Sequence, residues 1–260
     1  MIGTSADYQR IATNMTRHLE NIANRPMVSR ETEYYRDHIG SVESIDDFLA
    51  DRRLYAYAMK AFGLADMTYA TAFMRKALEG GIDDRDSFAN RLQDPRYREF
   101  VETFNFVRYE AATTAFDRAR SGTIDRYLRQ TLEEDAGRHN EGVRLALYFQ
   151  RKAPELENVF EILGQPALLK VVQVALGIPA ETASQDIDKQ AATISGRLDL
   201  ADFSDPQKLA AFLDRFATLW DGNNPAIAAT VPNILVGPPT FSGLSADILA
   251  RMQDLKFGGS

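Results

Sequence analysis

The chain has 260 residues, of which 45% are hydrophobic and 26% are charged, and its formal net charge is −7. This composition is typical of folded globular proteins and excludes a disordered chain, a collagen and a coiled-coil rod as overall descriptions. The negative charge disfavours nucleic acid and anionic lipid as partners. Because the chain has no cysteine, disulfides, thiol catalysis and thiolate metal sites are excluded.

Targeting signals are also missing from the sequence. No apolar run approaches the ~20 residues of a membrane-spanning helix, and the N-terminus lacks the basic and apolar regions of a signal peptide. We therefore predict a cytoplasmic protein without membrane insertion. Export by a route that needs no signal peptide stays open as an alternative.

Residues 1–40 are predicted to form short amphipathic helices. In the first segment, apolar residues recur at spacings of three and four up to Pro26, which should end the helix. A second helix is predicted from about Ser29 to His38. The apolar stripe of the first segment consists of Tyr8, Ile11, Met15, Leu19 and Ile22.

Residues 41–110 are predicted to form a first helical unit. Ser44 begins a capping motif, and Gly63 marks the end of a helix. A further helix is predicted from Asp84 to Leu92. Asp94 followed by Pro95 predicts the start of the last helix, since proline is tolerated at the first helical position.

Residues 155–220 are predicted to form a second unit of the same kind, joined to the first by a helical hairpin over residues 111–154. Two diverged copies of one unit explain the similarity between the units economically. Shared start and stop signals of unrelated helices are the alternative. Alignment of residues 45–64 with residues 159–178 pairs Leu49 with Leu163, Leu54 with Leu168, Ala61 with Ala175, and Gly63 with Gly177.

Residues 221–260 have a different composition. The density of proline and glycine over residues 221–243 disfavours helix and predicts an extended strap. A terminal amphipathic helix is predicted from Ser245 to Leu255, with an apolar face formed by Leu244, Ile248, Leu249, Met252 and Leu255. The predicted fold is therefore all-α: two similar multi-helix units joined by a helical hairpin, followed by this strap and a terminal helix.

The sequence contains no recognisable reaction centre. His18, His38 and His139 are scattered without metal-ligand spacing, so they are interpreted as ordinary helix residues. Calcium-loop, phosphate-loop and nucleophile-elbow patterns are also missing. We predict no catalytic, cofactor-binding or metal-binding residue, no cofactor, and a protein that is not an enzyme.

Three interpretations of function remain. The first is a protein that binds a protein partner through helix-in-groove anchors on two stripes, although both stripes could instead complete the core. The second is a ligand-binding protein or enzyme with a pocket between the two units. A homo-oligomer with a purely structural role is a third alternative. The anchors of the first interpretation are Tyr8, Ile11, Met15, Leu19, Ile22, Ile248, Leu249, Met252 and Leu255, and the polar cluster of the second is Glu133, Glu134, Asp135 and His139.

Several segments together resemble an alphaproteobacterial domain-of-unknown-function family, DUF twelve-seventeen. They are ETEYY (31–35), DFLAD (47–51), YAMKAFGL (57–64), AFMRKALEGG (72–81), ANRL (89–92), FNF (104–106), RLAL (144–147) and the stretch 163–177. The resemblance spans roughly residues 8–220. It implies a role in flagellar assembly, export or motor function, because members of that family are often encoded among flagellar genes. It implies no catalytic residues.

Overall fold

The structure is a computed structural model that describes residues 3–224. Within that range, every regular element is an α-helix or a short 3₁₀ turn, which confirms the all-α prediction. The predicted strap from residue 225 onward and the predicted terminal helix lie outside the described residues. The strap prediction is wrong at its first residues, since the last described helix continues to Asn223.

Three helices form the N-terminal region: α1 (Thr4–Thr13), α2 (Met15–Ala23) and α3 (Pro26–His38). The segment predicted as one helix therefore forms two helices, with a break at Asn14. The Asn14 side chain donates to the Arg10 carbonyl, in place of the backbone N–H that would do so in a continuous helix. α3 begins at Pro26 and not at Ser29, because proline occupies the first helical position.

The first unit contains α4 (Ile45–Ala50), α5 (Arg52–Ala61), α6 (Thr71–Gly80), α7 (Pro95–Thr103) and α8 (Phe106–Tyr109). The helix predicted from Asp84 to Leu92 is wrong: the segment consists of turns and a 3₁₀ turn, Ala89–Arg91. Asn90 donates to the carbonyls of Ile82 and Asp84, so its side chain stabilises the turn in place of helical bonds.

The central hairpin is formed by α9 (Ser121–His139) and α10 (Glu141–Lys152). Asn140 separates the two helices and caps α10 by accepting the Gly142 N–H at 2.9 Å. α9 packs against α2 and α5, whereas α10 packs against α1. The hairpin therefore connects the N-terminal helices with the first unit.

The second unit contains α11 (Val159–Leu163), α12 (Pro166–Leu176), α13 (Ile187–Ser195) and α14 (Pro206–Asn223). Both α12 and α14 pack against α10, so the hairpin lies between the two units. Buried residues of the two units, the hairpin and the N-terminal helices form one contiguous hydrophobic core. No helix in residues 3–224 combines the length and the apolar character required to cross a membrane.

The two units share local geometry at the aligned positions. Gly63 and Gly177 end their helices with φ angles of 69° and 63°, in the left-handed region that favours glycine. The N–H of the next residue bonds back across the helix end at 2.8 Å in both units. Asp94 and Asp205 cap the helices that begin with proline. Duplication of an ancestral unit remains a prediction that agrees with this geometry.

Candidate functional site

The N-terminal apolar stripe completes the protein's own core. Tyr8, Ile11 and Ile22 are 3%, 7% and 2% exposed, and Met15 and Leu19 are partly buried against the same core. They are covered because α1 packs against α10 and α14, and α2 packs against α9. Tyr8, Ile11 and Ile22 are therefore not accessible to a partner in this conformation, and their role as anchors stays a prediction. The residues of the C-terminal stripe, Ile248, Leu249, Met252 and Leu255, lie outside the described part.

The polar cluster predicted on α9 does not converge on one site. Glu133 binds Arg151, Glu134 lies 3.2 Å from the Lys60 ammonium, and Asp135 binds Arg25 and Arg138. Because successive residues of a helix point in different directions, the three carboxylates reach three different sets of cations. His139 lies beside a smaller cleft that Asp135 also lines. The cluster therefore offers no group of unpaired carboxylates.

The histidines show no arrangement that would hold a metal ion. His38 stacks on Tyr34 with ring centroids 3.9 Å apart, and its Nδ1 lies 2.8 Å from the Tyr34 carbonyl oxygen. His18 and His139 line the same smaller cleft. Within the described segment, no three His, Asp or Glu side chains come close enough to share a metal.

A large cleft lies where the two units meet the hairpin. Its volume is about 740 Å³, which is in the range of small-molecule sites. The first unit contributes the turn after α5 and residues of α7, the hairpin contributes both helices, and the second unit contributes the start of α12 and the end of α14. We call this feature the inter-unit cleft.

Positive side chains outnumber negative ones in the inter-unit cleft, although the whole chain is acidic. The cations are Arg96, Arg126, Arg144, Arg151, Lys152 and Lys170, and the acids are Asp94, Glu99, Glu133 and Glu141. The residues that line the cleft therefore carry two more positive than negative charges. Each of the four acids is bound to at least one of these cations.

The best-buried ion pair of the inter-unit cleft joins the two hairpin helices. Arg151 donates from Nε and Nη2 to the two carboxylate oxygens of Glu133, both at 2.8 Å, and Glu133 is 2% exposed. Burial alone would lower the pKa of Arg151, but the hydrogen bonds and charge of Glu133 outweigh it, so the pKa is raised. Arg151 consequently stays protonated despite its burial.

Two further carboxylates are held in the same way. Lys152 donates to both oxygens of Glu99, at 2.6 and 2.7 Å, whereas Arg126 approaches Glu99 only to 3.4 Å. Arg96 binds Asp94 at 2.7 Å and also donates to the Gly63 carbonyl at 2.5 Å. The left-handed turn at Gly63 thus contributes an acceptor to the cleft wall.

Neutral groups of the inter-unit cleft differ in whether they have partners. Tyr148 donates to Gln165 Oε1 at 2.7 Å, and burial raises the pKa of Tyr148 to about 12. Trp220 is 7% exposed, and its indole N–H has no acceptor among the described residues. A buried donor without an acceptor is unusual in a folded protein.

Sequence reasoning gave a pocket between the two units as an alternative, but its polar cluster shares only Glu133 with the lining of the inter-unit cleft. One signal was present: α10 carries Glu141, Arg144, Tyr148 and Arg151 at spacings of three and four, on a helix whose other faces are apolar. Such spacing places polar side chains on one face. Their convergence with α7, α12 and α14 depends on packing that no local pattern contains.

Comparisons with known proteins give a matching family model and a similar crystal structure. The family model described as "Protein of unknown function (DUF1217)" matches residues 61–209. The chain is similar to the crystal structure of protein AGR_C_984 from Agrobacterium tumefaciens, with a TM-score of 0.80 and 45% sequence identity. That similarity covers 86% of this chain and 98% of the other. The comparison with curated proteins finds no match.

Proposed function

Because the chain belongs to the DUF1217 family, we propose that it has the role that the resemblance implies: a non-enzymatic helical interaction protein that is accessory to bacterial flagellar assembly, export or motility. A protein partner follows from that role. The flagellar part of the proposal is supported by what the resemblance implies, namely that members of the family are often encoded among flagellar genes.

The observation that carries the non-enzymatic part is the pairing of the carboxylates in the inter-unit cleft. A general acid or base must exchange a proton near neutral pH. Arginine is always protonated, each carboxylate of the cleft is bound to an arginine or lysine, and the pKa of Tyr148 is raised to about 12 by burial. The groups of the cleft can therefore hold a charged group of a binding partner more readily than they can move a proton.

A deletion strain tests the flagellar role. Loss of the gene should reduce swimming or the number of complete flagella per cell, and a plasmid copy of the full chain should restore both. A deletion strain that swims normally and builds normal flagella would contradict the proposal.

Affinity capture tests for the protein partner. The full chain and a variant truncated before Pro225 should be compared in lysates of motile cells and of cells that lack flagellar gene expression. A flagellar protein captured only from motile cells supports the proposal, and a difference between the two baits would assign the contact to the residues after Asn224. Light scattering at several protein concentrations separates this role from that of a structural homo-oligomer.

A ligand-binding protein or enzyme with a pocket between the units is the second candidate. The inter-unit cleft favours it, because its volume of about 740 Å³ suits a small molecule and its walls come from both units. Glu133, the one member of the predicted polar cluster that lines this cleft, is bound to Arg151. Binding is therefore better supported than catalysis.

A further inference from the structure

We propose that the inter-unit cleft binds a small organic anion with at least two carboxylate or phosphate groups, and that Lys170 and Arg126 contact it. This inference goes beyond the proposed interaction role and does not depend on a flagellar partner. It rests on the excess positive charge of the cleft and on the position of both cations in its wall.

The charge of the cleft favours an anion. Six cations and four acids line it in a chain whose net charge is −7, so the cleft is positive within an acidic protein. Field lines concentrate in such a cleft, which raises the local concentration of anions. Because the four acids are already bound to cations, the excess charge is available to a ligand.

Trp220 lines the inter-unit cleft, but its N–H is not accessible from it. The N–H is buried without an acceptor among residues 3–224. It lies against Gly142 of α10: a Cβ atom at that position would be 2.6 Å from Nε1. Trp220 therefore serves as a reporter of the cleft and is not assigned as a ligand contact.

Lys170 supplies a charge that no described residue pairs with. Its ammonium forms no ion pair in the part of the chain that the structure describes. Lys170 lies in the first half of α12 and lines the inter-unit cleft.

The start of α12 and Arg126 extend the set of donors. No side chain caps the N-terminus of α12, and Ala167, in its first turn, lines the cleft. Helix N-termini favour anions because their first N–H groups lack intrahelical partners. Arg126 approaches Glu99 only to 3.4 Å, since Lys152 occupies both oxygens of that carboxylate. Two groups of donors suit a ligand with more than one anionic group.

The chain contains one tryptophan, so intrinsic fluorescence reports directly on the cleft. Purified full-length protein should be titrated with citrate, pyrophosphate and ADP at constant ionic strength, with sodium chloride as the salt control. We expect a saturable change in tryptophan emission with at least one of the three and none with chloride. A preference for citrate would assign carboxylates to the site, and a preference for the other two would assign phosphates.

Matched lysine variants test the assignment. Lys170→Gln should weaken binding about fivefold or more, because a charge-assisted contact is lost. Lys189→Gln removes the same charge from an exposed position of α13 outside the cleft and should leave the dissociation constant unchanged. Arg126→Gln should also weaken binding in the same titration, because Arg126 is the other cation of the cleft that no acid holds closely.

Two results would overturn the inference: no saturable response to any of the three anions, or equal affinity in wild-type protein, Lys170→Gln and Arg126→Gln. Circular dichroism must show that each variant keeps the helix content of the wild type. Since these measurements use purified protein, a negative result leaves the flagellar proposal standing, and a normal deletion strain leaves this inference standing.

Discussion

Thr4 and Asp221 are joined by two hydrogen bonds although 217 positions separate them in the sequence. The Asp221 carboxylate accepts the Thr4 backbone N–H at 2.8 Å and its hydroxyl at 2.5 Å. The residue before α1 is Gly3, which has no side chain to cap the helix, so Asp221 performs the capping. Asn140 also donates to the Thr4 hydroxyl, which ties α1, the hairpin and α14 together.

Replacement of Asp221 should therefore destabilise the whole fold. We expect Asp221→Ala to lower the free energy of unfolding by about 1–2 kcal/mol, the usual effect of a lost cap with a partly buried hydrogen bond. Asp214→Ala is the control, since Asp214 also bonds to α1, through Gln9 at 3.0 Å, but in an exposed position. It should cost less than ~0.5 kcal/mol. Urea denaturation followed by circular dichroism measures both, and equal effects would contradict the capping role.

Gly142 permits the close approach of Trp220 and Thr4 to α10. A Cβ atom there would lie 2.5 Å from Trp220 Cδ1 and 2.8 Å from Thr4 Cγ2, so both neighbours would have to shift. We expect Gly142→Ala to cost about 1–3 kcal/mol, despite the better helix propensity of alanine. No described residue lies within 4 Å of a Cβ at Gly222, so Gly222→Ala should be neutral or stabilising by up to ~1 kcal/mol. Thermal unfolding should give opposite signs, and a stabilised Gly142→Ala would contradict this packing.

Local sequence signals predicted the helix boundaries best. Ser44 accepts the Asp47 N–H at 3.1 Å, as the capping motif predicted, and Gly63 and Gly177 both adopt left-handed conformations. Asp94 accepts the N–H of Arg96. These features depend on neighbours within a few residues, so the sequence contains their cause. The same reasoning failed between Asp84 and Leu92, where the Asn90 side chain bonds to backbone carbonyls and replaces helical bonds.

Features that depend on long-range packing were not predictable. Glu133 and Arg151 are separated by 18 positions, and nothing in either local pattern indicates that they meet. Nor does the apolar pattern of Tyr8 and Ile11 reveal whether a partner or α10 and α14 cover them. An amphipathic pattern indicates that the apolar face of a helix is buried, but it does not indicate which element or partner covers that face.

Neutralisation of Glu133 should be more costly than neutralisation of an exposed acid of the same cleft. Glu133→Gln leaves Arg151 without a charge partner. It also affects Arg129, whose pKa is lowered chiefly by burial, because the charge of Glu133 opposes that lowering. We expect a loss of about 3–5 kcal/mol, as for other broken buried pairs. Glu141→Gln breaks an exposed pair with Arg144 and should cost less than ~1 kcal/mol.

Guanidinium denaturation of both variants at neutral pH measures this difference. Similar losses in Glu133→Gln and Glu141→Gln would contradict the role of Glu133 as the buried counter-ion. The double variant Glu133→Gln/Arg151→Met should be less destabilising than the sum of the two single variants, because it leaves neither charge without a partner.

Alkaline pH should destabilise the protein through its buried tyrosines. Burial raises the pKa of Tyr55 and of Tyr148 to about 12, whereas unfolded tyrosine titrates near pH ~10. Above the unfolded pKa, the unfolded chain releases protons that the folded chain retains, so unfolding becomes more favourable as the pH rises. The stability that these groups contribute is complete below pH ~10 and is lost as the pH rises toward their folded pKa values, by at most about 1.4 kcal/mol per group and pH unit.

Tyr55→Phe should reduce this alkaline loss without harming the fold at neutral pH. The Tyr55 hydroxyl is buried and has no hydrogen-bond partner in the described chain, so its removal also removes an unsatisfied group. Tyr69→Phe, at a ring that is 81% exposed, should leave the pH dependence of stability unchanged. Urea midpoints should be measured at neutral pH and at two values above pH ~10. If Tyr55→Phe and the wild type lose stability with equal slopes there, burial of the Tyr55 hydroxyl is not the source of the alkaline sensitivity.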